Sequence, residues 1–260
     1  MGRDNPNDCA EYREMTAFLD GRREVPVLSL ARYLGQYPSM EISDVKKPDE
    51  ADFAAVMSVY QSSFPVSPLT IGPQEFAEAL ASVEKYEQSF GFHYHLWAIR
   101  ITPTAPVEGM ASFFSFPEAG FCGYVAFQGS LSGTWRMRPL LARMEQQMLQ
   151  ERELDDVGGW YIETDLKRSL FLRLGFWEVD VKYEQPPLSE QQVSLPIPLF
   201  YKPFGRVYGK PKVKCSDFLK AIARIFQVVY RIETPTQHPC YLKLKKQVED
   251  SEVINLKSKI

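Results

Sequence analysis

The stretch that decides the fold reads Phe121-Cys122-Gly123-Tyr124-Val125-Ala126-Phe127-Gln128-Gly129-Ser130-Leu131-Ser132-Gly133-Thr134-Trp135-Arg136-Met137-Arg138-Pro139-Leu140-Leu141-Ala142-Arg143. Its first seven residues are a short apolar run bounded by Gly120 and Gly129, which suits a buried central strand. A loop of small residues follows, Gly129 to Thr134. Then comes the clearest helical pattern in the chain. Met137, Leu140, Leu141, Met144, Met148 and Leu149 share one face, and Arg143, Glu145, Gln146 and Gln147 take the other. Pro139 fits a helix only in the first turn, so the expected start lies near Arg136–Arg138.

Strand, small loop and helix N-terminus together can bind an anion. The first helical amides have no intrahelical partner, and the macrodipole adds roughly half a positive charge there. Arg136 and Arg138 add guanidinium groups suited to phosphate oxygens. Neither the Walker pattern nor GxGxxG is present. The competing reading is a solvated turn before a surface helix.

The elements on either side interleave. Glu41–Val45 reads as a first strand. Pro48-Asp49 opens a helix with Phe53, Val56, Met57 and Tyr60 on one face, and Gly72-Pro73 opens another with Phe76, Leu80 and Val83. Phe92–Ile101 and Val107–Phe116 read as a hairpin around a Pro-rich turn. Downstream come a strand at Trp160–Thr164, a short helix around Leu166–Leu174 stopped by Gly175, a strand at Trp177–Tyr183 and a last strand at Leu195–Tyr201. Ser216 and Asp217 are expected to cap an amphipathic helix carrying Phe218, Ile222, Ile225 and Val229. Before the core, Tyr12, Met15 and Leu19 suggest one short helix and Leu28–Leu34 a second. This order implies an α/β or α+β layered fold, divided into an N-terminal extension (1–40), a core (41–203) and a C-terminal extension (204–260).

The string Tyr124-Val125-Ala126-Phe127, then Gly133-Thr134, then Pro139-Leu140-Leu141-Ala142-Arg143 resembles motif A of the GNAT superfamily of acetyl-CoA-dependent N-acetyltransferases. Phe171-Leu172-Arg173-Leu174-Gly175-Phe176 is similar to that family's Phe-Tyr-x-x-Leu-Gly-Phe signature, and Tyr183-Glu184-Gln185-Pro186-Pro187-Leu188 occurs in similar form in some bacterial members. The resemblance covers residues 41–203. It implies a mixed central sheet, splayed between the strands at 121–127 and 160–164, with acetyl-CoA as co-substrate in the opening. It further implies that the backbone of Val125 and Phe127 pairs with the pantetheine arm, and that the segment Gly133, Thr134, Trp135, Arg136, Met137 and Arg138 holds the pyrophosphate. Two positions depart from the family: Trp135 stands where Gly is usual, and Phe171 where a Tyr acid is frequent.

For transfer to an amine, a base must sit near the splayed strands. Glu163 is the first candidate, with Tyr161 on its face by strand alternation. Tyr124 and Asp165 lie near by the implied fold. The competing reading of Glu163 is a strand-end carboxylate facing solvent or paired with an arginine. His93 and His95 share a strand face at a spacing that can hold a metal, but no third ligand is evident, so no metal is expected. The aromatic run Phe113-Phe114-Ser115-Phe116 reads as core, with lining of an acceptor pocket as the alternative.

Composition bounds the rest. The 260 residues are 45% hydrophobic and 24% charged, an ordinary globular balance. Net charge is −3, but Lys202–Ile260 carries 13 Lys/Arg against 5 Asp/Glu, a net of +8, and the remainder −11. That total argues against a nucleic-acid-coating protein, and the basic segment is expected to fold back in part, leaving Glu249–Ile260 as a candidate for disorder. No membrane-length apolar run and no signal peptide are visible. Four scattered cysteines point to a reducing cytoplasm. The expected function is acetyl transfer to a small-molecule or peptide primary amine. The alternatives are a catalytically degenerate acyl-CoA-binding or partner-binding module and an interaction scaffold built on the basic segment. Oligomeric state is left open.

Overall fold

The protein was analysed as a computed structural model, which describes residues 40–128, 134–151, 158–188, 193–205 and 209–257. The helices expected around Tyr12 and Leu28 lie outside the described residues. Among them the elements run β1 (Glu41–Asp44), α1 (Ala51–Ser63), α2 (Pro73–Phe90), β2 (His93–Arg100), β3 (Gly109–Ser115), β4 (Gly120–Phe127), α3 (Thr134–Glu151), β5 (Gly159–Glu163), α4 (Arg168–Arg173), β6 (Trp177–Val179), β7 (Glu184–Gln185), β8 (Leu195–Pro196), β9 (Leu199–Pro203), α5 (Cys215–Val228), α6 (Pro239–Val248) and β10 (Leu256–Lys257).

Eight strands form one sheet in the order β1-β2-β3-β4-β5-β9-β6-β10, while β7 and β8 pair separately. All neighbours in the large sheet are antiparallel except β4 and β5. The β2–β3 hairpin has the expected pairing, from His93↔Ser115 to Ile99↔Gly109.

Helices cover both faces. On one face α3 and α4 bury Leu140, Leu141, Met144, Met148 and Phe171 against Trp97, Phe113, Cys122, Trp160 and Phe200. On the other, α1, α2, α5 and α6 pack Val56, Phe76, Phe218, Ile222 and Leu244 against Tyr94, Leu96, Phe121, Tyr161 and Tyr201. Burial of each such side chain contributes about 1.5–3 kcal/mol.

The decisive irregularity is in β4. Ser112 pairs with Tyr124, yet its neighbour Phe113 pairs with Cys122, so Gly123 is an extra, bulged residue. A bulge bends its strand and resets the alternation of side chains. Tyr124 therefore packs on the same face as Phe121, while Val125 and Phe127 join Cys122 on the α3 face. The β4–β5 pairing stops at the same point: Gly120↔Trp160, Phe121↔Tyr161 and Cys122↔Ile162 are its only rungs. From Gly123 to Phe127, β4 bends away from β5 and the sheet opens.

Several sequence-based expectations are corrected. Helix α3 begins at Thr134, earlier than Pro139 suggested, so that proline sits inside the helix. The expected strand at Leu195–Tyr201 is two strands in different sheets, because Pro196 and Pro198 lack the N–H a continuous ladder needs. The strand starting at Trp177 ends at Val179. Ser216 and Asp217 do not cap α5: the cap residue is Lys214, without a side-chain bond, and Asp217 instead faces the helix dipole from the first turn. Glu249–Lys257 is ordered, and β10 within it pairs with β6. The 204–260 extension thus supplies an edge strand and a helix with buried Phe218, Ala221, Ile222, Ile225 and Phe226.

Candidate functional site

The opening between β4 and β5 is bounded by a strand edge, a carboxylate and a helix N-terminus. The backbone of Gly123–Phe127 pairs with β3 on one side and, among the described residues, with no strand on the other. An exposed edge of this kind accepts an extended ligand as an added strand. Val125 and Phe127 lie on this stretch, half-buried against the α3 face.

Glu163 ends β5 at the floor of the opening. Its two carboxylate oxygens are covered separately: Tyr183 donates its hydroxyl to Oε1 and Tyr230 donates its hydroxyl to Oε2. Burial pushes the carboxyl up to about 7, against the lowering effect of the two phenols. The competing reading, a carboxylate facing solvent or paired with an arginine, does not hold among the described residues: two neutral donors take its oxygens. Burial beside the Glu163 charge likewise raises the hydroxyls of Tyr183 and Tyr230 well above their ordinary value.

Sequence reasoning missed both tyrosines. Tyr183 lies in the bend between β6 and β7, and Tyr230 just beyond α5 in the basic segment. No local pattern connects either to Glu163. Tyr161, picked by alternation, is buried on the Glu163 face but packs against Tyr201 and Phe218. Asp165 is exposed.

Tyr124 stands at the bulge. Its ring meets Tyr60, Phe64 and Phe76 with centroids 5.0, 5.3 and 5.7 Å away, and its hydroxyl donates to the Leu69 carbonyl at 3.1 Å. Burial raises its pKa, with a contribution from Glu163. Tyr124 also borders a cavity of about 530 Å³ between α2, the β2–β4 strands and residues 227–233. Phe114 and Tyr230 line it too, so the alternative reading of the aromatic run fits Phe114, while Phe113 belongs to the opposite core.

The helix end of the site is partly described. Gly133 and the side chains of Thr134 and Trp135 lie outside the described residues. Arg136 pairs with Glu108 at 3.2 Å, and Arg138 donates to the Arg173 carbonyl at the end of α4 at 3.0 Å. Met137 packs into the α3-face core. The two arginines thus tie the first turns of α3 to the neighbouring strand and helix beside the opening. Phe171 is buried, stacked on Phe200 at 5.1 Å and edge-on to Phe176 at 5.7 Å, and has no proton to give.

His93 and His95 part company. His93 is exposed. His95 is buried, with Nδ1 2.6 Å from Asp44 Oδ2 and Nε2 2.8 Å from Glu151 Oε1, stacked on Phe113. Although burial alone would lower it, the two carboxylates raise its pKa to about 9. It is an imidazolium joining β1, β2 and the end of α3. Among the described residues no group of three or more His, Cys, Asp or Glu has metal-holding geometry. No described helix is long and apolar enough to cross a membrane.

No family model matches the sequence, and no curated protein matches it either. Solved structures do. A protein assigned to the GNAT family of acetyltransferases, from Bacteroides thetaiotaomicron, superposes with a TM-score of 0.54 at 16% identity, over 74% of this chain and 99% of that one. A GNAT-family acetyltransferase from Staphylococcus aureus Mu50 gives 0.43 at 14% identity, over 64% and 100%. A protein from Salmonella typhimurium assigned as an acetyltransferase and solved with acetyl-CoA gives 0.43 at 15%, over 66% and 98%. On the first of these superpositions, the chain has the mixed α/β fold of GNAT acetyltransferases, a large sheet flanked by helices.

Proposed function

We propose that this protein is an acyltransferase moving acetyl from acetyl-CoA to a primary amine, by direct attack and without an acyl-enzyme. The observation that carries this reading is the opening at Gly123, where the β4–β5 pairing ends beside a half-buried glutamate raised to a pKa of about 7 by desolvation.

The residues present suit the donor. The unpaired edge of Gly123–Phe127 offers backbone groups to an extended pantetheine arm. The first amides of α3, with Arg136 and Arg138 beside them, supply the positive end for a pyrophosphate. Bound there, acetyl-CoA supplies an acetyl group activated as a thioester. A backbone N–H near Phe127 stabilises the developing oxyanion, a contribution of ~3 kcal/mol for a well-placed donor.

Glu163 is the base. An amine reaches the site mostly as ammonium and must lose a proton before its lone pair attacks. A carboxylate with pKa about 7 takes that proton, directly or through a water, far better than one near 4.5. Tyr183 and Tyr230 fix the carboxylate orientation through its two oxygens. No acid at Phe171 is needed: a thiol with a pKa near ~8.5 leaves tolerably as thiolate. The buried free thiols Cys122, Cys215 and Cys240 suit a reducing, cytoplasmic setting.

The test is thermal unfolding with acetyl-CoA, followed by coenzyme A release across an amine panel. Saturable protection with turnover is expected, protection reaching about 2.7 kcal/mol at a hundredfold excess over Kd. An unchanged melting temperature at millimolar acetyl-CoA overturns the reading. Phe171, sealed between Phe176 and Phe200, favours one alternative, a degenerate acyl-CoA-binding module. Protection without turnover of any amine selects it.

A further inference from the structure

The cavity beside Tyr124 has a chemistry of its own. Phe76, Val83 and Phe90 from α2 face Phe92, just before β2, and Phe114 of β3, and residues 227–233 close the third side. Phe76 and Phe92 are buried, while Tyr86, Arg231 and Glu233 are exposed and mark the solvent side. The wall at 227–233 is fixed by the Ile232 N–H donating to the Phe226 carbonyl at 3.0 Å and by Arg231 in the left-handed region (φ 53°). Inside, the polar side chains Tyr94 and Ser112 lie 3.2 Å apart and bond to one another.

Three facts link this cavity to the chemistry. Gly123, which ends the β4–β5 pairing, lines it, so cavity and opening meet at the bulge. Tyr230 lines it and donates to Glu163 Oε2, so one residue touches both the cavity and the base. Of the charged side chains in its wall, Glu75 and Glu233 are acidic and Arg231 is basic, an excess that favours an arriving cation.

We propose that this cavity is the acceptor site and that its substrate class is a primary amine carried on a bulky apolar body, an arylalkyl or long alkyl amine, whose amino group reaches Glu163 past Tyr230 and Tyr124. The inference rests on the acyltransfer reading. The volume of about 530 Å³ suits such a body. A polyamine or peptide acceptor would have to set its further polar groups against Phe76, Val83, Phe90, Phe92 and Phe114, beyond what Glu75 and Glu233 can pair, at a cost of about 1–3 kcal/mol for each group left without a partner. A methylamine-sized acceptor would leave the space unfilled.

Coenzyme A release is measured with 2-phenylethylamine and octylamine against methylamine and spermidine. The apolar amines are expected to exceed the others at least ~100-fold in kcat/KM, since each buried methylene contributes about fourfold. Val83→Trp fills the cavity from α2 and is expected to raise the KM for 2-phenylethylamine about tenfold, with protection by acetyl-CoA unchanged. Ala79→Leu, a smaller filling, serves if that variant misfolds. Equal or better use of spermidine or methylamine overturns the proposal, as does an unchanged KM in a folded filling variant. Faster transfer from octanoyl-CoA to methylamine than from acetyl-CoA to 2-phenylethylamine also overturns it, by seating the donor's chain in the cavity. A protein protected by acetyl-CoA that transfers only to other amines of the panel sinks the cavity assignment alone, whereas protection without turnover of any amine, or loss of acetyl-CoA protection, takes the acyltransfer reading with it.

Discussion

Two clusters of half-buried acids flank the same sheet and behave in opposite ways. Near β1, Asp44 and Glu151 hold His95 between them, and both carboxyls are held below their usual range by the imidazolium they flank, against the raising effect of burial. At the end of β5, Glu163 meets two phenols and is pushed up to about 7. Burial acts on all three acids, and the difference is the partner. A cation offsets desolvation of the anion, and a phenol offsets only part of it. The first arrangement joins elements; the second keeps a proton acceptor poised near neutrality.

The largest effect that separates them is on rate. Glu163→Gln keeps the size and a hydrogen-bonding head but cannot take a proton. Acetyl transfer is expected to fall ~10²–10⁴-fold, with the melting temperature equal or higher at pH 8, where the wild-type carboxylate is half-buried and charged. A full-rate variant breaks the comparison. The converse substitution is His95→Phe, which leaves Glu151 without its imidazolium and Asp44 with Lys46 alone, 2.8 Å away. It is expected to cost roughly 3–5 kcal/mol in urea unfolding, with kcat/KM per folded molecule little changed.

pH separates the clusters next. The folded pKa of His95, about 9, lies above its ordinary 6.5, so its stabilisation is complete below about 6.5 and is lost as pH rises through 9. The shift corresponds to about 3 kcal/mol. Glu163 is also raised, from 4.5 to about 7, so its favourable contribution below 4.5 is lost as pH rises through 7. Unfolding free energy should therefore fall in two steps, the lower one absent in Glu163→Gln and the upper one absent in His95→Phe. A profile unaltered by either substitution contradicts the assignment. The smallest expected effect concerns positioning. The phenols lower the Glu163 pKa, so Tyr230→Phe should move the acid limb of kcat/KM upward by roughly half to one unit, and an unmoved limb would show the hydroxyl to be irrelevant to the base.

Legibility followed the range of the interactions. The β2–β3 hairpin, the apolar run of β4 and the helix face from Met137 to Met148 are local patterns and were readable, although Leu149, placed on the same face, is exposed. Gly123 carried a faint signal, since an isolated glycine in a strand often marks a bulge, but only its pairing with β3 shows where the alternation resets. Alternation put His93 and His95 on one face and Tyr161 with Glu163 correctly. It did not show that the end of α3 covers His95 and leaves His93 in solvent, or that Phe218 rather than a substrate covers Tyr161. Tyr230 was out of reach: it stands 67 residues from Glu163, in a segment set apart by its charge.

The sequence by itself determined the layered fold, the strand–loop–helix at 121–143 and Glu163 as a candidate base, because periodicity and strand alternation act over a few residues. The tertiary structure alone decided that the sheet opens at Gly123, that the basic C-terminal segment supplies both an edge strand and a phenol over Glu163, and that, among the described residues, two phenols and no cation bond the Glu163 carboxylate. Those outcomes depend on which distant residues come to share a low-dielectric space, and the pKa of a buried acid is set there.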